Sequence, residues 1–154
     1  MRKIVAVLVL ALAGPSIAGE IPPSELSIAG VASGATETSA ISQLGEPSER
    51  FDTGEGIELR YPGLVVTVGW FEQSAPGVQR RVLALHGTGP RACTPRGLCP
   101  GMPTSEIQRL YGQVAPVKRS YGTFFEYQPN GLACWLQVSA PGPIVSSVAV
   151  ACQP

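Results

Sequence analysis

One histidine, four cysteines and a scatter of carboxylates are the residues of this chain that could do chemistry. A hydrolytic triad would need His86, the sole histidine, beside a nucleophile and an orienting carboxylate. The strand pattern puts an indole across from it instead, and no GxSxG or HExxH string is present. Glu46, Glu49, Asp52, Glu55 and Glu58 fall in turns and strand edges, where solvated charge is expected rather than a paired acid and base. The chain is therefore read as non-catalytic, with a hydrolase around His86 as the last alternative. Four cysteines with a single histidine and no CxxC suit two disulfides better than a metal site or a redox dithiol, and no cofactor is expected.

The elements that must carry these residues come in two similar sets. Ser139-Ala-Pro-Gly142 repeats Ser74-Ala-Pro-Gly77, and Trp135 and Trp70 each stand four residues before the serine. An alternating apolar run follows each copy, Ser147-Val-Ala-Val150 and Val82-Leu-Ala-Leu85. Upstream, Ile57–Tyr61 and Leu64–Phe71 flank Pro62-Gly63, which suits a type II turn. Thr123–Tyr127 and the run from Leu132 form the second version. Each set is preceded by a two-turn helix. Gly34 to Gly45 has Thr36 as a cap, Ala40, Ile41 and Leu44 on one face and Gly45 as a stop; Gly101 to Gly112 has Pro103 in its first turn and Ile107, Leu110 and Tyr111 apolar.

The expected fold class is thus α+β: tandem αβββ repeats, an antiparallel sheet or sheets, and two short helices packed on one face. The boundaries are a signal peptide over 1–18, a flexible lead-in over 19–32, a first repeat over 33–87, a linker with a small disulfide loop over 88–100, and a second repeat over 101–154. Arg2-Lys3, the apolar run Ile4 to Ala13 and Ser16-Ile-Ala18 have the three parts of a secretory signal, with cleavage after Ala18. The apolar run is too short for a bilayer, and no cysteine nearby could be lipidated, so no stable membrane anchor is expected. Cleavage leaves 136 residues with 9 basic and 11 acidic side chains, a balance that argues against nucleic-acid binding. The destination is periplasmic or secreted. In such a compartment a last hairpin bending around Pro141-Gly142-Pro143 faces Cys134 with Cys152, and Cys93 and Cys99 close their own short loop.

The string Gly34, Thr36, Ala40, Leu44-Gly45 and Pro47, followed by a meander, resembles the SmpA/OmlA domain of small outer-membrane assembly lipoproteins. In duplicate, with two disulfides, it resembles the β-lactamase inhibitory protein-like fold. The lipobox cysteine has no counterpart, and the second copy has Pro103 and Val114 where the motif has Thr and Pro. The resemblance implies a sheet whose face away from the helices receives a partner protein.

Alternation along the strands puts Cys134, Cys152, Leu132, Leu136, Val138, Val148 and Val150 on one face, read as buried, with Gly69, Phe71, Leu83, Leu85 and Gly87 as their counterparts. The opposite face carries Trp70, Val82, Ala84 and His86, then Trp135, Gln137, Ser147, Ala149 and Ala151. A hairpin bending at Val78 sets Trp70 across from His86. Trp70, His86, Trp135 and Gln137 are therefore the candidate binding residues, since large aromatics dominate protein interfaces; the alternative is that both indoles are core, packed under a loop or the lead-in, with His86 a plain cross-strand neighbour. Arg96, in Cys93-Thr-Pro-Arg-Gly-Leu-Cys99, is a fifth: a preorganised loop could offer it to a trypsin-like pocket, the plainer alternative being a structural staple on the joint between the copies. The expected function is binding of another protein or a cell-envelope component, with inhibition of an extracellular or periplasmic enzyme, β-lactamase or protease, as the alternative.

Overall fold

A computed structural model describes residues 19–70 and 77–153. The expected signal peptide over 1–18, Phe71 and most of the first Ser-Ala-Pro-Gly lie outside the described residues. In chain order the elements are β1 (Gly19–Glu20), a 3-10 turn (Pro23–Glu25), β2 (Ser27–Ile28), β3 (Val31–Ala32), α1 (Glu37–Leu44), β4 (Glu49–Asp52), β5 (Ile57–Tyr61), β6 (Leu64–Gly69) and β7 (Arg81–Gly87). There follow α2 (Ser105–Tyr111), β8 (Val117–Arg119), β9 (Gly122–Gln128), β10 (Cys134–Ser139) and β11 (Ser147–Cys152). The protein is α+β, with two short helices and one dominant sheet.

Nine strands form that sheet, in the order β1, β9, β10, β11, β7, β6, β5, β4, with β8 also on β9. Four strands follow each helix rather than three, because Glu49–Asp52 and Val117–Arg119 pair as well. Both are short and charged, which hid them from a hydrophobic pattern. The last strands of the two meanders, β7 and β11, pair antiparallel and join the halves into one layer.

Individual hydrogen bonds recur in the two halves. Before α1, Gly34 and Glu37 donate to the Val82 and Arg80 carbonyls and Val82 donates back to Ala35. Before α2, Gly101 and Thr104 donate to the Val145 and Pro143 carbonyls and Val145 donates back to Met102. Each helix then ends on a glycine at positive φ, 87° at Gly45 and 84° at Gly112. Each of those carbonyls accepts a tyrosine hydroxyl at 3.0 Å, from Tyr61 and Tyr127 respectively. Thr36 caps α1 through Ser39 N–H as expected, whereas Thr104 caps α2 with no side-chain bond.

Leu59, Val66, Val68, Val82 and Leu85 bury on the same sheet face as Leu136, Val138, Val148 and Val150, under Ala40 of α1 and Ile107 and Tyr111 of α2. The lead-in 19–32 is not loose. β1 pairs with β9 in parallel, and Ile21, Leu26, Ile28 and Val31 are part of the core. Its apolar residues come in pieces too short to show a period, yet they cover the sheet where two two-turn helices leave it bare. Gly19 admits no side chain, since a Cβ there would come within 2.6 Å of the Tyr127 ring. The linker is packed too: Ala92 and Leu98 are buried, and Thr88 and Gly89 donate to the Gly63 carbonyl.

Candidate functional site

Among the described residues, the sheet face turned away from the helices is an extended surface built on paired strands. Register assigns its rows. Arg60, Val65, His86, Ala149, Gln137 and Glu126 lie side by side across six strands, and Glu58, Thr67, Ala84, Ala151 and Trp135 form the next row. The middle of both rows is small or uncharged: Val65, Thr67, Ala84, Ala149 and Ala151 are only partly covered, and His86 stands exposed between Val65 and Ala149.

Charged pairs stand at both ends of the face and neutralise themselves. On the β5 side Arg60 donates to Glu58 at 2.9 Å and Glu49 at 3.3 Å, with its guanidinium 4.8 Å from the centre of the Phe51 ring. On the β9 side Arg119 donates to both oxygens of Glu126, at 2.9 and 2.6 Å, and Gln137 adds a third bond at 2.8 Å. Glu126 is only 2 % exposed. Burial pushes its carboxyl up, but the Arg119 guanidinium and the Gln137 amide outweigh that and hold it below the usual carboxylate range. Such compensation leaves no strong field across the face, which suits a neutral contact surface better than an ion-binding or acid-base site.

Of the five candidate residues, His86, Trp135 and Gln137 share this face. His86 and Gln137 sit two strands apart, about 10 Å, with Trp135 one row over. Trp70 does not join them. Gly69 faces Arg81 and Val65 faces His86, so the first hairpin closes nearer its start than a bend at Val78 allows. Trp70 instead donates its indole N–H to the Val78 carbonyl at 3.1 Å, under the Arg80 guanidinium. Arg80 bonds Glu37 at 2.6 Å, linking the indole to the first turn of α1. A bulge at Leu83 causes the second error: Thr67 faces Ala84 but Val68 faces Val82, so Val82 turns into the core. Gly69 and Gly87 consequently do not face each other. Leu132 lies outside β10 and is 42 % exposed.

Both disulfides pair as the spacing predicts, Cys134 with Cys152 and Cys93 with Cys99. Arg96 stays partly exposed but is held by its neighbours. Its guanidinium donates to the Leu110 carbonyl at 3.0 Å, lies 3.4 Å from Glu25 and stacks 5.0 Å from the centre of the Tyr111 ring. The Tyr111 hydroxyl bonds Glu25 at 2.7 Å and Thr94 at 2.6 Å. Burial pushes its pKa well above the ordinary tyrosine value. The loop is a clasp between the lead-in and α2. Sequence reasoning missed Glu25 because a glutamate in a presumed loose segment carries no signal. It missed the Arg119, Glu126 and Gln137 group because β8 went unseen.

No protein-family model and no curated protein matches the chain. Two solved structures align with the chain. An extracellular protein containing an SCP domain from Bacillus anthracis aligns over 97% of this chain and 50% of its own, at TM-score 0.51 and 13% identity. The chain thus spans about half the length of that protein. A DUF4309 family protein from Bacillus subtilis aligns over 77% of this chain and 78% of its own, at TM-score 0.48 and 13% identity. Neither is an SmpA/OmlA protein or a β-lactamase inhibitor. The two disulfides are consistent with an oxidising compartment, secreted or periplasmic.

Proposed function

We propose that this is an exported, non-catalytic binding protein that receives another protein, or a protein component of the cell envelope, on its open sheet face. One observation carries the reading: the row of His86, Ala149 and Gln137 and the neighbouring Trp135 lie on central strands of the sheet, on the face opposite the helices, with His86 exposed and Gln137 touched by the Tyr121 hydroxyl at 3.4 Å. Small side chains there let a partner approach the backbone closely, and the half-buried Trp135 supplies an anchor whose contact area is already ordered. Inhibition of a secreted enzyme is the narrower form of the same reading, supported by the two-halved sheet the inhibitor-like resemblance implies.

Two finer readings belong with it. Tandem duplication is supported by the recurrent bonds at Gly34 and Gly101 and at Tyr61 and Tyr127. Cleavage after Ala18 is supported by Gly19, which enters β1 at once against Tyr127. Intact mass of the exported protein tests the second, with Gly19 as the expected first residue.

The binding reading is tested by placing a bulky charge at its centre. Ala149→Arg should abolish photo-crosslinked capture of partner from an envelope or culture fraction, while Thr38→Arg on the helix side should not. Equal capture by both variants would refute the assignment of the face.

A further inference from the structure

The sheet has unequal ends. At one, β9 is flanked by both β8 and β1; at the other, β4 pairs, among the described residues, with β5 alone. Antiparallel strands turn the N–H and C=O of alternate residues toward one neighbour. Thr53, just past β4, donates to the Gly56 carbonyl on the β5 side, so by alternation Phe51 also turns its peptide groups inward. Arg50 and Asp52 then turn theirs outward. Among the described residues no backbone group from another element bonds them.

We infer that β4 is a dimerisation edge, and that its partner is β4 of a second copy, antiparallel about a two-fold axis through Phe51. Charged side chains on an edge usually deter pairing, but here their signs select one register. With the axis at Phe51, Arg50 faces Asp52 of the other copy and Asp52 faces its Arg50, and both facing pairs are hydrogen-bonded ones. An axis at Arg50 sets arginine against arginine, and one at Asp52 sets aspartate against aspartate. Like charges directly opposite destabilise a strand pair, and opposite charges and aromatic pairs favour it. The two Phe51 rings meet at the non-bonded position, where strands come closest, at about 4.5 Å between Cα atoms. Phe51 is already 48 % exposed and stacked on Arg60. Arg50 holds Glu37 at 2.7 Å and lies 3.9 Å from the exposed Glu46, and its fork of five donors has N–H groups left for a carboxylate of the other copy. Asp52 accepts from Gly54 N–H through Oδ1, leaving Oδ2 for the arginine. The axis stands perpendicular to the sheet, so the two open faces look the same way and the dimer is bivalent.

Sedimentation equilibrium of the disulfide-intact chain from Gly19 onward, from micromolar to near-millimolar concentration, tests this. A reversible dimer is expected. Arg50→Asp and Asp52→Arg should each weaken it about tenfold, as an attractive pair becomes repulsive twice over. The double exchange should restore it. A monomer at every concentration, a dimer indifferent to either single change, or a double exchange as weak as the singles would overturn the inference. Because Arg50 also holds Glu37, the axis has its own readout: Phe51→Cys should cross-link to itself on mild oxidation. Absence of a 51–51 cross-link at concentrations where the dimer forms would equally overturn it.

Discussion

Removing one hydroxyl from each of the two tyrosines that close the helices should cost unequal amounts. Tyr61 and Tyr127 donate to the Gly45 and Gly112 carbonyls at the same 3.0 Å, so the bonds match in length. Their settings differ: Tyr127 has no exposed surface, while Tyr61 is only partly buried. A typical intramolecular hydrogen bond contributes about 1 kcal/mol net, and less where water can replace it. Tyr127→Phe should therefore destabilise by about 1 kcal/mol and Tyr61→Phe by about half that, read from urea unfolding of the oxidised protein at constant m. In the melting temperature the larger change is roughly 3 to 4 °C for a chain of this size. The pH dependence supplies an independent check. Burial pushes the Tyr127 hydroxyl up to about 12 from its ordinary value of 10.0. A group whose folded pKa is raised contributes stability that is complete below its unfolded pKa and lost as pH climbs through the folded one. Unfolding free energy should fall between pH 10 and 12, and Tyr127→Phe should remove part of that fall. A Tyr61→Phe variant as costly as Tyr127→Phe, or an alkaline limb that Tyr127→Phe leaves unchanged, would refute the argument from burial.

At the acid end the sign reverses: the Glu126 and Glu37 carboxyls are held low, so their contribution is present above the ordinary value near 4.5 and lost as pH falls below it. Glu126→Gln should therefore flatten the acid limb of urea stability and destabilise the protein at pH 7, since Arg119 and Gln137 lose a charged partner. Replacing Cys134 and Cys152 by Ala should cost about 3 kcal/mol, and replacing Cys93 and Cys99 about 2, from the lengths of the loops they close. Only the second change should free Arg96, measured as faster hydrogen exchange at Leu98 and Thr94. Iodide should quench the Trp70 indole, 51 % exposed, more strongly than the half-buried Trp135, read in Trp135→Phe and Trp70→Phe variants.

What the sequence showed well was local and periodic. The last hairpin was legible to the residue, because a Pro-Gly-Pro bend fixes register and two cysteines confirm it: Cys134 faces Cys152, and Trp135 and Gln137 share the open face. The helix stops at Gly45 and Gly112 were legible because only glycine takes that conformation cheaply. The first hairpin was not. Its longer connection carries no Pro-Gly-Pro, and the bulge at Leu83 adds one residue to one strand, which reverses the assignments of Gly69, Trp70 and Val82. The Cys93–Cys99 loop was legible as a staple, but not what it fastens: the Arg96 partners Glu25 and Tyr111 are distant in sequence, and their meeting is a tertiary event that no spacing announces.

These differences between the halves bear on which part of the open face can serve as a binding platform. In the second half β10 and β11 keep an unbroken register from Ser139–Ser147 to a covalent close at Cys134–Cys152, and Ser33 Oγ lies 3.2 Å from the Cys152 sulfur. Trp135 sits one residue from that bond. In the first half the corresponding end is interrupted by the bulge and runs into a long connection, and its tryptophan is drawn toward α1 by Arg80 and Glu37. A surface that orders itself on binding loses affinity to that ordering. The Trp135 half, with Gln137 fixed on Glu126 and Glu126 fixed on Arg119, has the least left to lose. Substitutions there should therefore act on partner binding more strongly than equivalent ones at Val65 or Thr67, which lie the same distance from the central pair of strands on the other side.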